Sequence, residues 1–190
     1  MNRSDTSFNK KKDLWDRQYA AGQWEVLRSP LEEPRLNTLA ALTSQYCQGG
    51  NVLEIGCGEG LLLPRLKSTY QYFLGLDISE VAIRKTQHLQ NANTVFKCAD
   101  MEDFVPGSKF DIIIFNESLY YSDTPLELLH RYTDYLEKDG LFATSIYHDE
   151  WNISLVDLIR KKFEGVKRQE TSNERGTWYC DVFKPSRTKA

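Results

Sequence analysis

A glycine-rich turn after a short apolar segment constrains this chain more than any other feature. The residues from Val52 to Gly60 have the sequence VLEIGCGEG, which predicts a strand over Val52–Ile55 and a tight turn after it. Gly56, Gly58 and Gly60 occupy alternate positions, so backbone N–H groups of the turn can approach a ligand without a side chain in between. The segment after the turn is compatible with a helix. The pattern therefore predicts a ligand-binding loop between a strand and a helix.

A second apolar segment, Leu74–Ile78, contains an acid near its end. Asp77 follows the glycine turn by about 20 residues, the distance at which a strand–helix–strand unit places a carboxylate on a ribose. The two segments together predict a site for a nucleoside-bearing cofactor. The G-x-G-x-G spacing differs from the G-x-G-x-x-G of dinucleotide sites, and Glu54 beside the turn would repel a pyrophosphate. S-adenosylmethionine carries an ammonium and a sulfonium group and no phosphate, so charge favours it over NAD.

Segments from five places in the chain resemble class I S-adenosylmethionine-dependent methyltransferases, and they occur in that family's order. The resemblance spans roughly residues 14–148. It implies S-adenosyl-L-methionine as the cofactor. It also implies an α/β fold with a Rossmann-like seven-stranded mixed sheet of order 3-2-1-4-5-7-6, in which the last strand is antiparallel and helices cover both faces. The matching segments are 54–60, 74–79, Cys98–Met101, Phe110–Glu117 and Leu136–Phe142.

A narrower resemblance concerns the acceptor of the methyl group. The segment Asn116–Tyr121, the dipeptide Ser29-Pro30 and His148 are similar to the nodulation protein S group of small-molecule N-methyltransferases. This similarity implies a small-molecule amine or hydroxyl acceptor, with the amine favoured. Two other functions stay open at this point. One is a catalytically silent partner or regulatory module that binds the cofactor, and the other is a nicotinamide-dependent oxidoreductase.

The resemblance also implies roles for individual cofactor-site residues. Asp77 would accept hydrogen bonds from the ribose hydroxyls, and Asp100 from the adenine amine. Met101 would cover the adenine, and Glu54 would act on the amino group of the methionine moiety. Arg35 either meets the cofactor carboxylate or lies on a helix surface. The expected cofactor-binding residues are Trp24, Arg35, Glu54, Gly56, Cys57, Gly58, Gly60, Asp77, Ile78, Asp100, Met101 and Asn116.

Several of these residues have a purely structural alternative, whereas Gly56, Gly58 and Gly60 have little alternative to a tight turn. Asp77 would complement a helix N-terminus, Glu54 would shape its own loop, and Asp100 with Met101 would be a loop acid and a core side chain. The aromatic residues near the N-terminus either stabilise a sulfonium by cation–π attraction or pack a helix onto the sheet.

Two residues are candidates for catalysis. His148 follows the fifth predicted strand, where an imidazole could take a proton from an amine or hydroxyl. Glu117 ends the fourth strand and could orient an acceptor amine. The structural alternatives are a non-catalytic histidine and a helix-capping carboxylate. The expected acceptor-binding residues are Trp15, Tyr19, Tyr120, Tyr121 and Trp151.

Composition limits the partners of this chain. The formal net charge of -3 gives no basic field for nucleic acid. No apolar run approaches the length of a membrane span, so we expect neither nucleic acid nor membrane as a partner. The four cysteines form no C-x-x-C pair, which favours a reducing, cytoplasmic location. No His and acid cluster has metal-ligand spacing. We expect a monomer or homodimer without a metal.

Alternation of strands and helices predicts the domain organisation. Residues 1–12 are predicted to be a disordered tail and 13–186 a single methyltransferase domain. Within it, lid helices occupy 13–46 and a Rossmann-like core occupies 51–186. Predicted helices are 13–21, 32–46, 60–67, 79–89, 125–136 and 153–162, and predicted strands are 52–55, 72–76, 94–97, 110–115, 140–147, 164–170 and 177–183.

Overall fold

The computed structural model of the protein describes residues 3–66 and 70–186, with side chains from residue 8 onward. Strands and helices alternate through the middle of this part of the chain, and a β-hairpin ends it. The strands are β1 (Gly50–Ile55), β2 (Tyr70–Asp77), β3 (Thr94–Cys98), β4 (Phe110–Asn116), β5 (Leu136–Tyr147), β6 (Phe163–Asn173) and β7 (Gly176–Pro185). The α-helices are α1 (Arg3–Ala20), α2 (Glu33–Tyr46), α3 (Leu63–Leu66), α4 (Glu80–Lys85), α5 (Pro125–Thr133) and α6 (Glu150–Lys162).

The strands form one sheet of order β3-β2-β1-β4-β5-β7-β6. β1 pairs in parallel with β2 on one side and with β4 on the other, whereas β7 is antiparallel to both β5 and β6. This arrangement confirms the predicted fold class and strand order. The order reverses between β1 and β4, and ligands of open α/β sheets bind at the carboxyl ends of the strands beside such a reversal. The sheet therefore places the glycine turn at the expected binding edge.

Hydrophobic cores lie on both faces of the sheet. In β4, Ile112 and Ile114 belong to one cluster, while Ile113 and Phe115 belong to the other, because successive side chains of a strand point to opposite faces. All four are fully buried, as an unbroken apolar run in a central parallel strand predicts. Helix α2 packs on one cluster, and α5 and α6 pack on the other. Helices thus cover both faces, as predicted.

The N-terminal segment differs from its prediction. Residues 3–12 belong to helix α1 and are not a disordered tail; residues 1–2 lie outside the described part. Lys12 forms ion pairs with Asp16 at 2.7 Å in the same helix and with Glu80 at 3.0 Å in α4. Polar composition predicted disorder because composition does not reveal that Lys12 meets Glu80 of another element.

Several element boundaries also differ from their predictions, and three of the differences have a clear local reason. The helix predicted over 60–67 shrinks to α3, because the turn extends further; residue 67 is outside the described part. Helix α5 ends at Thr133, because Leu136 already pairs with Phe110 of β4. Helix α6 begins three residues early, because the Asp149 carboxylate caps it by accepting from the backbone N–H of Trp151. Within the described ranges, no helix is long and apolar enough to cross a membrane.

Candidate active site

A cavity of about 430 Å³ opens at the carboxyl ends of β1, β2 and β4. Helix α1 and the turn between β6 and β7 contribute the other walls, so the cavity has a sheet side and a side made by distant segments. Most residues that the sequence predicts for the site meet here. The predicted site residues that line the cavity are Trp15, Tyr19, Trp24, Arg35, Gly56, Cys57, Gly58, Asp77, Ile78, Asp100, Met101, Asn116, Glu117, Tyr120 and Tyr121.

The glycine turn requires glycine for two physical reasons. Gly56, Gly58 and Gly60 have φ angles of 76°, 52° and 76°, in the left-handed region that other residues rarely adopt. A Cβ atom on Gly56 would lie 2.4 Å from the Cβ of Ser118, and a Cβ on Gly58 would lie 2.9 Å from the hydroxyl of Tyr19. The turn is therefore a bare backbone surface held close to its neighbours, with no room for side chains.

Asp77 lies at the end of β2, where its carboxylate is held by backbone donors. Gly58 N–H donates to Oδ2 and Ser79 N–H donates to Oδ1, both at 2.8 Å. Burial raises the pKa of Asp77 to about 6, although these two hydrogen bonds act in the opposite direction. Since a carboxylate has about four lone-pair sites, each oxygen retains capacity for one more donor. The carboxylate can therefore accept hydrogen bonds from a diol in the cavity.

A relay of polar side chains lies behind the turn. Glu54 is fully buried, its Oε1 accepts from Asn116 Nδ2 at 2.8 Å, and Asn116 Oδ1 accepts from Arg35 Nη1 at 2.5 Å. Among the described residues, none donates a hydrogen bond to Glu54 Oε2. Burial raises the pKa of Glu54 to about 8, against the effects of the Asn116 hydrogen bond and the Arg35 charge. Asn116 and Arg35 line the cavity but Glu54 does not, so Glu54 is linked to the cavity through its hydrogen bond with Asn116.

Glu117 holds the most unusual backbone position at the site. Its φ of 51° makes it the non-glycine residue with a positive φ in the described part of the chain. The hydroxyls of Tyr120 and Ser145 donate to its carboxylate at 2.9 and 2.8 Å, so the carboxylate accepts from side chains and does not cap a helix. Burial raises the pKa of Glu117 to about 7, opposed by the charge of Arg35. A cavity-facing carboxyl that titrates near neutral pH can exchange a proton with a bound ligand.

Asp100 and Met101 follow β3 and line the cavity next to Ile78. The side chain of Asp100 is buried, and its Oδ1 accepts from the backbone N–H of Glu102 at 3.0 Å. The backbone carbonyl of Met101 accepts from the hydroxyl of Tyr132 at 3.1 Å, which fixes this loop on the core. The loop therefore offers a carboxylate and a thioether side by side on a rigid support.

Five aromatic side chains form a continuous surface that we term the aromatic wall: Trp15, Tyr19, Trp24, Tyr120 and Tyr121. Trp15 stacks on Trp24 with ring centroids 5.3 Å apart and meets Tyr121 edge-on at 4.9 Å. Tyr120 and Tyr121 lie 4.7 Å apart. All five line the cavity. The wall joins residues from α1, from the turn after it and from the segment after β4, so the surface that packs these elements together also faces the cavity.

Four predicted site residues do not line the cavity, and two of them had been expected to contact the acceptor. The exposed His148 packs against Tyr179, with ring centroids 5.0 Å apart, because its backbone N–H bonds to Thr177 O in β7 and directs the residue out of the cavity lining. Trp151 is 87% exposed in the first turn of α6. Of the remaining two, Glu54 lies behind the turn in β1, and Gly60 belongs to the turn but faces Leu89 and Phe96.

Several residues that line the cavity were not predicted from the sequence, because they follow no motif or strand end that indicates a site. Glu32 is only 2% exposed, and its two carboxylate oxygens accept from Arg35 Nε at 2.8 Å and from Arg175 Nη1. Tyr147 donates its hydroxyl to the backbone oxygen of Arg175 at 3.0 Å. Arg175 lies between the two last predicted strands, 164–170 and 177–183, so its position in a turn was predictable. Its contact with Glu32, far away in the sequence, was not.

Comparison with known proteins identifies the family to which the chain is related. Residues 27–183 match a family described as "Methyltransferase domain". Nodulation protein S of Azorhizobium caulinodans is 30% identical over 127 residues, which are 65% of this chain and 61% of that protein. The ubiquinone biosynthesis O-methyltransferase of Bradyrhizobium diazoefficiens is 29% identical over 124 residues, 63% of this chain and 49% of that protein. The chain thus spans about half to three-fifths of the length of these relatives.

Solved structures share the fold. The N-methyltransferase NodS of Bradyrhizobium japonicum WM9, in complex with S-adenosyl-L-homocysteine, superposes with a TM-score of 0.74 at 19% identity, covering 85% of this chain and 91% of that one. The magnesium protoporphyrin IX methyltransferase of Synechocystis PCC 6803, with bound S-adenosylmethionine, superposes with a TM-score of 0.70 at 16% identity, covering 93% and 96%. These likenesses agree with the strand order described above.

Proposed function

This chain belongs to the methyltransferase-domain family, as its sequence motifs predicted, and we propose that it is an S-adenosyl-L-methionine-dependent methyltransferase whose acceptor is a small-molecule amine. The observation that carries the proposal is that two carboxyl groups with different surroundings line one cavity. Asp77 lies at the glycine turn, and Glu117 lies at the end of β4. The first suits a cofactor sugar, and the second suits a reacting amine.

The residues present fit a cationic, phosphate-free adenosyl cofactor. The glycine turn is a cradle that a Cβ would fill. Behind it lies the buried carboxyl of Glu54, and no described residue donates to its Oε2. A carboxyl in that position offers a pyrophosphate no cation to pair with, whereas a positively charged ligand nearby would favour its ionised form. These features support S-adenosylmethionine over NAD. The charge argument from the sequence favoured the same cofactor.

Each part of the cofactor has a proposed partner. Asp77 would hold the ribose, the Asp100 carboxylate would accept from the adenine amine, and Met101 would cover the adenine face. Arg35 would pair with the carboxylate of the methionine moiety, and Asn116 would contact its amino group. When bound, the cofactor supplies a methyl group already activated by its sulfonium, so the chain has to contribute closeness and alignment.

Glu117 would perform the proton chemistry of the acceptor. An ammonium form of the acceptor would donate to the Glu117 carboxylate, and a pKa of about 7 allows that carboxyl to take up the proton that makes the amine nucleophilic. Tyr120 and Ser145 keep the carboxyl in place through their hydrogen bonds. His148 lies away from the cavity lining, so we assign the proton acceptor to Glu117 alone.

An acceptor screen tests the proposal. The protein is incubated with S-adenosylmethionine carrying a deuterated methyl group and with panels of small amines, amino sugars and hydroxyl metabolites. Mass spectrometry should find the label on nitrogen in at least one amine. Transfer only to hydroxyl oxygen would contradict the amine assignment. Binding of S-adenosylhomocysteine without transfer to any acceptor would favour the alternative of a catalytically silent binding module.

A further inference from the structure

We propose that Asp16 is a positioning residue for the cofactor: it fastens helix α1 to the segment after Asp77 and so sets how slowly a bound adenosyl ligand leaves. The inference rests on the proposed function, since it concerns the same adenosyl site. Asp16 does not line the cavity, and neither the family match nor the glycine motif points to it.

Asp16 makes its contacts across the gap between two elements far apart in sequence. Its Oδ1 accepts from the Ser79 hydroxyl at 2.7 Å and from the backbone N–H of Val81 at 3.0 Å. Its Oδ2 accepts from Lys12 at 2.7 Å. The first turn of α4 leaves N–H groups without helical partners, and Asp16 of α1 satisfies one of them from outside. A side chain of α1 thus completes the capping of α4.

Ser79 links this contact directly to the ribose acid. Its backbone N–H donates to Asp77 Oδ1 at 2.8 Å, while its hydroxyl donates to Asp16 and accepts from the Ala82 N–H at 3.2 Å. Gly58 N–H holds the other oxygen of Asp77 at 2.8 Å. An unbroken path of hydrogen bonds therefore runs from the glycine turn through Asp77 and Ser79 to Asp16.

Helix α1 carries residues that form one side of the cavity. Tyr19, one turn after Asp16, is buried, and its hydroxyl lies against the face of Gly58 where a Cβ would be. Trp15 precedes Asp16 and forms the aromatic wall together with Trp24. Loosening Asp16 would release the wall that covers the glycine turn, whereas the acids that contact the ligand would stay in the sheet. The contact should therefore affect departure of the ligand more than its arrival.

The experiment compares Asp16→Ala with the wild-type chain and with Asp13→Ala, a matched change at an exposed position of the same helix. Calorimetry gives the Kd for S-adenosylhomocysteine, and stopped-flow tryptophan fluorescence gives the rate constants. We expect Asp16→Ala to raise koff and Kd about tenfold, the size of effect typical for losing a helix cap. The association rate constant and kcat at saturating cofactor should change less than about threefold, and Asp13→Ala should match the wild type.

The proposal is overturned if Asp16→Ala binds as tightly as the wild type, or if it lowers kcat while leaving koff and the cofactor KM unchanged. Should that variant fail to fold, Ser79→Ala decides, because it removes the hydroxyl that donates to Asp16 and keeps the backbone N–H that donates to Asp77. An unchanged koff in a folded Ser79→Ala would reject the role. A wild-type chain that binds no S-adenosylhomocysteine would instead refute the proposed function.

Discussion

At the end of the cavity beside β1, the polar groups are backbone N–H groups and short carboxylates fixed by the sheet. At the end beside the β6–β7 turn, they are long side chains from distant segments, as in the Glu32–Arg175 pair. The first end is rigid because buried strands hold it. The second depends on contacts between segments at opposite ends of the chain. In the proposed function the first end is the cofactor end and the second is the acceptor end, and we propose that the acceptor end carries the features particular to this protein.

Replacing Glu117 by Gln should have the largest effect on turnover. The amide retains the shape of the side chain but cannot take up a proton, so kcat should fall by about 100- to 1,000-fold, within the range of general base catalysis. The Kd for S-adenosylhomocysteine should stay within about threefold. Steady-state kinetics on the acceptor found in the screen measures this. His148→Ala is the control and should retain wild-type kcat; the reverse pattern would return the base to His148.

The next largest effect should come from Gly58→Ala. The added Cβ meets the Tyr19 hydroxyl at 2.9 Å, so it pushes the aromatic wall away from the turn, and the Kd for S-adenosylhomocysteine should rise about tenfold. Gly49→Ala is a matched control, because Gly49 also has a positive φ but no atom lies within 4 Å of its Cβ position. Equal affinity losses in the two variants would show that backbone strain, and not contact with Tyr19, is responsible.

The acceptor end should respond more weakly to Arg175→Met. This change removes the guanidinium that pairs with Glu32, while Arg35 continues to neutralise that carboxylate. We expect the acceptor KM to rise about fivefold and the cofactor Kd to stay within twofold, since uniform binding is lost without loss of chemistry. Arg168→Met, at an exposed position of the same hairpin, should change neither. A cofactor Kd that rises in parallel would contradict the division of the cavity into two ends.

The smallest effect concerns stability and pH. Burial raises the pKa of Glu54 from its ordinary 4.5 to about 8, so the native state binds this proton more tightly than the unfolded state does. Its stabilising contribution is complete below pH 4.5 and is lost as pH rises through 8, at up to about 1.4 kcal/mol per pH unit. Glu54→Gln should therefore flatten the fall in Tm between about pH 5 and 8. Calorimetry measures this, with the exposed Glu137→Gln as control; parallel curves for all three proteins would contradict it.

The cofactor end was predictable from sequence because its residues follow one another at strand ends. Gly56, Gly58 and Asp77 are each adjacent to an apolar run, and the parallel sheet brings such ends together. The confirmed strand order came from the family resemblance, since the alternation of elements predicts parallel strands without fixing their order. The sequence did not predict the helix over residues 3–12, because Lys12 of this segment pairs with Glu80, which lies on another element.

Most of the acceptor end was not predictable, and the reason is again sequence separation. Tyr120 and Tyr121 lie within five residues of the end of β4, and they line the cavity as the sequence predicts. Glu32 and Arg175 meet only because the β6–β7 turn reaches the N-terminal segment. His148 and Trp151 were predicted to belong to the site, but they do not line the cavity. Both directly follow β5, the same signal that located Glu117 after β4, but the chain turns into α6 there and leaves them exposed.

Calorimetric titration of the wild-type chain and of Asp77→Asn with S-adenosylhomocysteine and with NADH tests the central claim most directly. Asparagine at position 77 keeps the size of the side chain but replaces one acceptor oxygen by a donor, facing N–H groups that already donate there. We predict 1:1 binding of S-adenosylhomocysteine to the wild type, about 100-fold weaker binding to the variant, and no heat with NADH. Tighter binding of NADH, or equal binding of S-adenosylhomocysteine by both proteins, would contradict the account.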